Sequence, residues 1–147
     1  FVSRDDLNEI VTRTILKQKF ETETILDGEQ ILKLREVLDK VVVADPIRDY
    51  AVRIVMATHA DAEFATARVR QYVRWGASPR AAQSLVKAGR VRALAEGRAH
   101  VAFEDVRYWA EEVLQHRVLL NYDGQAENIA MFDLIDELAS QTTEQAA

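Results

Sequence analysis

The sequence predicts an all-α helical bundle, with at most a tiny two-strand pairing. Three observations carry that reading. Apolar residues recur at three- and four-residue intervals through most of the chain, which is the helical period. The stripes open on recognisable caps at Ser3, Asp27, Asp45 and Ser78, and the chain's 2 prolines, Pro46 and Pro79, directly follow two of them, at the first helical position. No stretch sustains the alternation that a half-buried strand needs. With 147 residues, 48% of them hydrophobic, the chain can bury one real core, and one compact unit is expected.

Taken in order, Ser3 with Asp6 imitates a capping box, and Leu7, Ile10 and Val11 form a short stripe, so a helix runs from about residue 4 to 16. Lys17 to Thr24 is polar and unpatterned and reads as a loop. Asp27 with Gln30 offers the next cap, and Ile31, Leu34 and Leu38 supply a second helix ending near Lys40. Val41-Val42-Val43 is β-branched and a candidate strand, too short to define a sheet. Asp45 and Pro46 open a third helix with Ile47, Tyr50, Ala51, Ile54 and Thr58 on one side, and Asp49 can pair with Arg53 on its wet side.

Ala60 to Trp75 reads mainly as a connection. The fourth helix, Pro79 to about Glu96, is expected to bury Ala81, Leu85, Ala88, Val91 and Ala95, which leaves Arg80, Gln83, Ser84 and Lys87 on the polar face. Gly97 is its C′ residue, and His100 to Ala102 an extended link. A fifth helix spans roughly Phe103 to Gln115, with Val106, Ala110, Val113 and Leu114 inward and Glu104 and Asp105 in the first turn, where acids suit the dipole. The last helix, about Glu127 to Ser140, carries Met131, Phe132, Ile135 and Leu138, and Thr142 to Ala147 reads as a frayed tail. Trp75 and Trp109 are expected in or beside the core, with Trp75 able to brace the turn that follows it.

That turn, Gly76-Ala77-Ser78-Pro79-Arg80, is the most informative stretch. Ser78 is a preferred N-cap and Pro79 arrives with its φ already set, so the helix start is well specified. Arg80 then falls at N2, the positive end of the helix dipole, where a cation costs a few tenths to about 1 kcal/mol. Free N–H groups and a planar guanidinium fork converge there on a place suited to phosphate.

The segment WGASPRAAQSLVKAGRVRALAEGRAHVAFEDVRYWAEEVLQHRVLLNY resembles the C-terminal lid of MoxR-family ATPases, a branch of the AAA+ class. ADPIRDYAVRIVMATH is similar to the preceding lid helix, and VSRDDLNEIVTRT to the helix after the ATPase core. The resemblance implies that residues 1–26 join the lid to its core, that 27–140 form the lid and that 141–147 are a tail. It also implies that Arg80 is the sensor-2 arginine, reaching the γ-phosphate of ATP with Ser78 and Gly76 shaping the site. ATP and Mg²⁺ would be cofactors of the intact protein. Its partners would be the core, neighbouring subunits of a ring, and client proteins, often with von Willebrand factor A domains. Two positions depart from the family pattern: Ala102-Phe103 opens the fifth helix where a proline and a hydroxyl or acid are usual, and Thr58-His59 stands where an arginine usually closes the third.

Other chemistry finds little support. Nothing matches GxxxxGK[ST], and no strand ends in paired acids, so the chain by itself is expected neither to hydrolyse ATP nor to bind it well. Starting at Phe1 and not at a methionine, it reads as part of a longer protein. A net charge of −5 argues against general affinity for nucleic acid or anionic membrane, although Arg68, Arg70 and Arg74 interleave with aromatics. Histidines 59, 100 and 116 have no partner at ligand spacing, so no metal site is expected, and His116-Arg117 suits the negative end of a helix. The absence of cysteine and of an apolar run long enough to span a bilayer suits a cytoplasmic protein. A free-standing helical adaptor with no nucleotide role is the alternative.

Overall fold

The computed structural model describes residues 2–16 and 22–144, and the loop expected at 17–24 falls largely outside them. The chain divides into two units, Phe1–Leu32 and Lys33–Ala147. In the first, α1 (Arg4–Ile15) starts where the Ser3 hydroxyl accepts from the Asp6 amide at 3.2 Å. The Asp27 capping box is complete: its carboxylate accepts from the Gln30 amide, and the Gln30 side chain accepts from the Asp27 amide, each at 2.8 Å. It opens α2 (Gly28–Asp39), whose residues belong to both units.

The larger unit is organised by α3 (Asp45–Ala57) lying against α5 (Pro79–Ala95). Ile47, Tyr50, Ala51, Ile54 and Thr58 are all buried, as the α3 period predicts. On α5 the buried stripe is Ala81, Leu85, Gly89 and Ala93, while Val91 and Ala95, expected inward, face out and Ala88 is half-buried. Side-chain size explains the difference. The inward face of α5 is made mainly of small residues that allow close approach, and small residues leave a weak hydrophobic signal.

Around this pair stand α4 (Ala67–Tyr72), α6 (Phe103–Tyr108), α7 (Ala110–Leu114), α8 (Tyr122–Ala126) and α9 (Met131–Gln141), together with strands β1 (Val73–Trp75) and β2 (Leu119–Leu120). The strands form one antiparallel ribbon, Val73 opposite Leu120 and Trp75 opposite Leu119. Among the described residues the fold is thus mostly helical with one two-strand sheet, but that sheet is not at Val41-Val42-Val43. There, only Val42 makes an isolated bridge to His100.

Several expectations need correction. The connection at 60–75 contains α4, capped by Thr66, whose hydroxyl accepts from the Val69 amide at 3.2 Å; a helix of 6 residues with only Val69 buried is too short to print a period. The fifth helix is two, broken at Trp109 (φ −96°, ψ 5°), although its four inward residues are buried as expected. The last helix begins at Met131 and not at Glu127, because Asn128 turns the chain with φ 53°, a conformation Asn tolerates, and Phe132 is 54% exposed. Thr142 is buried, and Arg53 donates to the Thr143 and Glu144 carbonyls at 2.6 and 3.2 Å, so the expected fray does not begin at 142. Residues 145–147 lie outside the described set. The same contact puts Arg53 in the interior, so its 2.8 Å pair with Asp49 is formed as expected but runs from a buried guanidinium to an exposed carboxylate.

The C-terminus of α5 is fixed by a charge cluster. Gly97, at φ 74°, makes the left-handed turn of a Schellman motif, with the Arg98 amide on the Ala93 carbonyl and the Gly97 amide on that of Leu94. The turn swings Arg98 to Asp105, whose solvent-inaccessible carboxylate accepts from Arg98 at 2.6 and 2.7 Å, from Arg92 at 2.9 Å and from the Ala102 amide at 2.8 Å. This last bond caps α6 from within and compensates for Ala102, which has no capping side chain. Burial pushes the Asp105 carboxyl up, but the Arg98 and Ala102 hydrogen bonds and the charges of Arg98 and Arg92 outweigh it and hold it below the usual range.

Because the folded pKa is depressed, Asp105 contributes stability that is present above its unfolded value, about 4, and is lost as pH falls through the folded one. Asp105→Asn is therefore expected to lower stability at pH 7 by about 1–3 kcal/mol, discounted because both arginines reach water. It should also flatten the acid limb of the stability curve. Urea midpoints across the acid range up to neutrality check both effects, and an unchanged acid limb would show that the cluster contributes nothing by charge.

Candidate functional site

The N-terminus of α5 is held by the residues that close α3. Thr58, fully buried, donates its hydroxyl hydrogen to the Val55 carbonyl at 2.6 Å and accepts from the Ala77 amide at 2.9 Å. His59 Nε2 lies 3.0 Å from the Ala77 carbonyl, which requires that nitrogen to carry the proton. Both polar backbone groups of Ala77 are thereby satisfied from the end of α3. The His59 ring also packs under Gly76: a Cβ there would fall 2.7 Å from ring carbons. Gly76 is required by close approach, not by its backbone angle.

Of the residues singled out in the sequence, Gly76, Ser78 and Arg80 are brought together at this helix start. Ser78 has the extended N-cap backbone (φ −75°, ψ 166°), but its side chain makes no capping bond, contrary to expectation. Pro79 has no N–H, and the Ala81 amide turns back to the Ser78 carbonyl at 2.8 Å, so the backbone closes the first turn without the hydroxyl. Arg80 lies at N2 and is exposed on the polar face, as expected; among the described residues no acceptor or ring meets its guanidinium. Neighbouring arginines are engaged. Arg68 pairs with Glu137 at 3.1 Å, Arg70 donates to the carbonyls of Ala60, Ala62 and Glu63, and Arg74 lies over the Trp75 ring.

An open apolar hollow of about 350 Å³ flanks the helix start, lined by Val52, Met56, His59, Pro79 and Ala82. Trp75, expected in or beside the core, is 60% exposed on β1, and bracing of the turn falls to His59 instead. Trp109 packs half-buried against the core as expected. His116-Arg117 follows α7, where Arg117 donates to the Val113 carbonyl. Among the described residues no three metal-ligating side chains come together, and no helix is long and apolar enough to cross a membrane. Sequence reasoning missed the clasp made by Thr58 and His59, although their departure from the resembled pattern marked the place.

The larger unit is mostly helical and carries a small antiparallel ribbon, a fold consistent with an AAA lid. The family model described as AAA lid domain matches residues 65–138, half of the chain, and the chain belongs to that family. Within it, the similarity is to MoxR proteins. The chain is 36% identical over 110 residues to the chaperone MoxR1 of Mycobacterium tuberculosis, which is 75% of this chain and 29% of that protein. It is 36% identical over 101 residues to the protein MoxR of Methylorubrum extorquens, covering 65% and 29%. The crystal structure of a candidate ATPase from Cytophaga hutchinsonii matches 97% of this chain and 44% of its own, with a TM-score of 0.79 at 26% identity. The chain thus spans less than a third of the length of these two MoxR relatives.

Two substitutions separate the roles of neighbours in this turn. Arg80→Ala should leave the domain equally stable or more so by up to about 1 kcal/mol, since an exposed cation leaves the positive end of a dipole. Gly76→Ala should destabilise it by about 1–3 kcal/mol through overpacking against His59. Thermal unfolding of both variants checks the contrast; a large loss in the arginine variant would make Arg80 structural.

Proposed function

We propose that this chain acts as the lid of a MoxR-type AAA+ ATPase and supplies Arg80 in cis as the sensor-2 arginine at the γ-phosphate of ATP. The observation that carries the reading is the state of Arg80: exposed, unpaired among the described residues, and fixed at a helix end that disfavours its charge. An anion removes that penalty. The Arg80 fork and the Ser78 hydroxyl, which makes no capping bond, suit phosphate oxygens, while the adjoining apolar hollow offers a wall for a less polar part of the nucleotide or for the core. ATP with Mg²⁺ supplies the hydrolysable bond when bound to the core; this chain supplies a positioned cation and excludes water by closing over the site.

The same reading makes the lid a rigid element that carries nucleotide state to neighbouring subunits of a ring, and so to client proteins, among them ones with von Willebrand factor A domains. A cytoplasmic setting fits the absence of cysteine.

In the complete ATPase, Arg80→Ala is expected to cut turnover by roughly ten- to a thousandfold, as for loss of one positioned donor at a developing charge. Lysine should restore only part of the loss, because it lacks the planar fork. Steady-state ATP hydrolysis measures both. Full turnover and ATP affinity in the alanine variant would remove Arg80 from the mechanism.

A further inference from the structure

We infer that Thr58 and His59 are positioning residues that aim Arg80 by holding the residue pair in front of its helix. The inference rests on the sensor reading of Arg80 given above.

The geometry carries it. Arg80 is three residues from Ala77, and the intervening Ser78 and Pro79 leave little slack: Pro79 fixes φ, and Ser78 is already in the N-cap conformation. What remains free to tilt the start of α5 is the peptide on either side of Ala77. Thr58 Oγ1 accepts from the Ala77 N–H at 2.9 Å and His59 Nε2 donates to the Ala77 carbonyl at 3.0 Å, so neither peptide can rotate without breaking a partly or fully buried bond. The His59 ring under Gly76 blocks the third route, a shift of the chain toward α3. Thr58 is itself tied to α3 through the Val55 carbonyl at 2.6 Å, so the clasp is anchored in a helix and not in a loop. Side chains from the end of α3 thus make the aim of Arg80 a property of the packed unit.

Thr58 is fully buried, and in this role His59 acts through the Ala77 carbonyl and the Gly76 contact and not through the wall of the hollow that it also lines. A small loss of aim is sufficient to matter, since a displacement of about 1 Å at a positioned group can cost on the order of a hundredfold in rate.

The test uses the complete ATPase and five variants: His59→Ala, His59→Gln, Thr58→Val, Arg80→Ala and the His59→Ala/Arg80→Ala pair. His59→Ala should lower turnover by about ten- to a hundredfold with the fold retained by circular dichroism. His59→Gln, whose amide can donate where Nε2 does, should recover most of it. In the Arg80→Ala background, removal of His59 should have no further effect, because a residue that acts through Arg80 has nothing left to aim. Thr58→Val, which removes the hydroxyl at nearly constant volume, should behave like His59→Ala. If Arg80→Ala is impaired while His59→Ala is not, or if the two losses multiply, the positioning role is overturned and the sensor reading stands. Unimpaired Arg80→Ala overturns the sensor reading first.

Discussion

The packing of α3 on α5 is the constraint on which the larger unit depends. Tyr50, Ala51 and Ile54 on one helix share a single core with Ala81, Leu85 and Ala93 on the other. A Cβ on Gly89 would stand 3.0 Å from a Val101 methyl, so the space beside α5 is already filled by the segment leading to α6. Small residues let the helices close up, and that closeness lets short side chains at the end of α3 reach the backbone before α5. A bulkier stripe on α5 would push Thr58 and His59 out of reach of Ala77. The geometry at the exposed end of the domain is therefore a consequence of how its middle packs.

Charge joins segments here more than it decorates the surface. Asp105 draws Arg92 and Arg98 to the far end of α5, Arg53 fastens the carbonyls of Thr143 and Glu144, and Arg70 gathers carbonyls of the loop before α4. Each satisfies backbone or carboxylate groups that regular secondary structure leaves over. Arg92 also lies over the Tyr108 ring at 4.5 Å, so the cluster around Asp105 extends to the end of α6.

Much of this was legible in the residues. The caps at Ser3 and Asp27, the α3 stripe, the Gly97 turn and the exposed Arg80 follow from local rules, because each depends on residues a few positions apart. What escaped depends on distant partners. Asp105 reads as an ordinary first-turn acid until Arg98 and Arg92 fold onto it. Ser78 is the local exception: it reads as a capping hydroxyl, yet the Ala81 amide closes the turn on the Ser78 carbonyl. The expected two-strand pairing is present, but its place escaped, because strands of 3 and 2 residues carry no alternation of their own.

The indole of Trp75 stands in water a few residues before Arg80, while Trp109, the second of the chain's 2 tryptophans, is half-buried against the core. Water around an excited indole shifts its emission to the red, and removal of that water shifts it back. Trp75 is thus a built-in optical reporter beside the start of α5, whose colour registers whether that surface is wet or covered, with no label added to the protein.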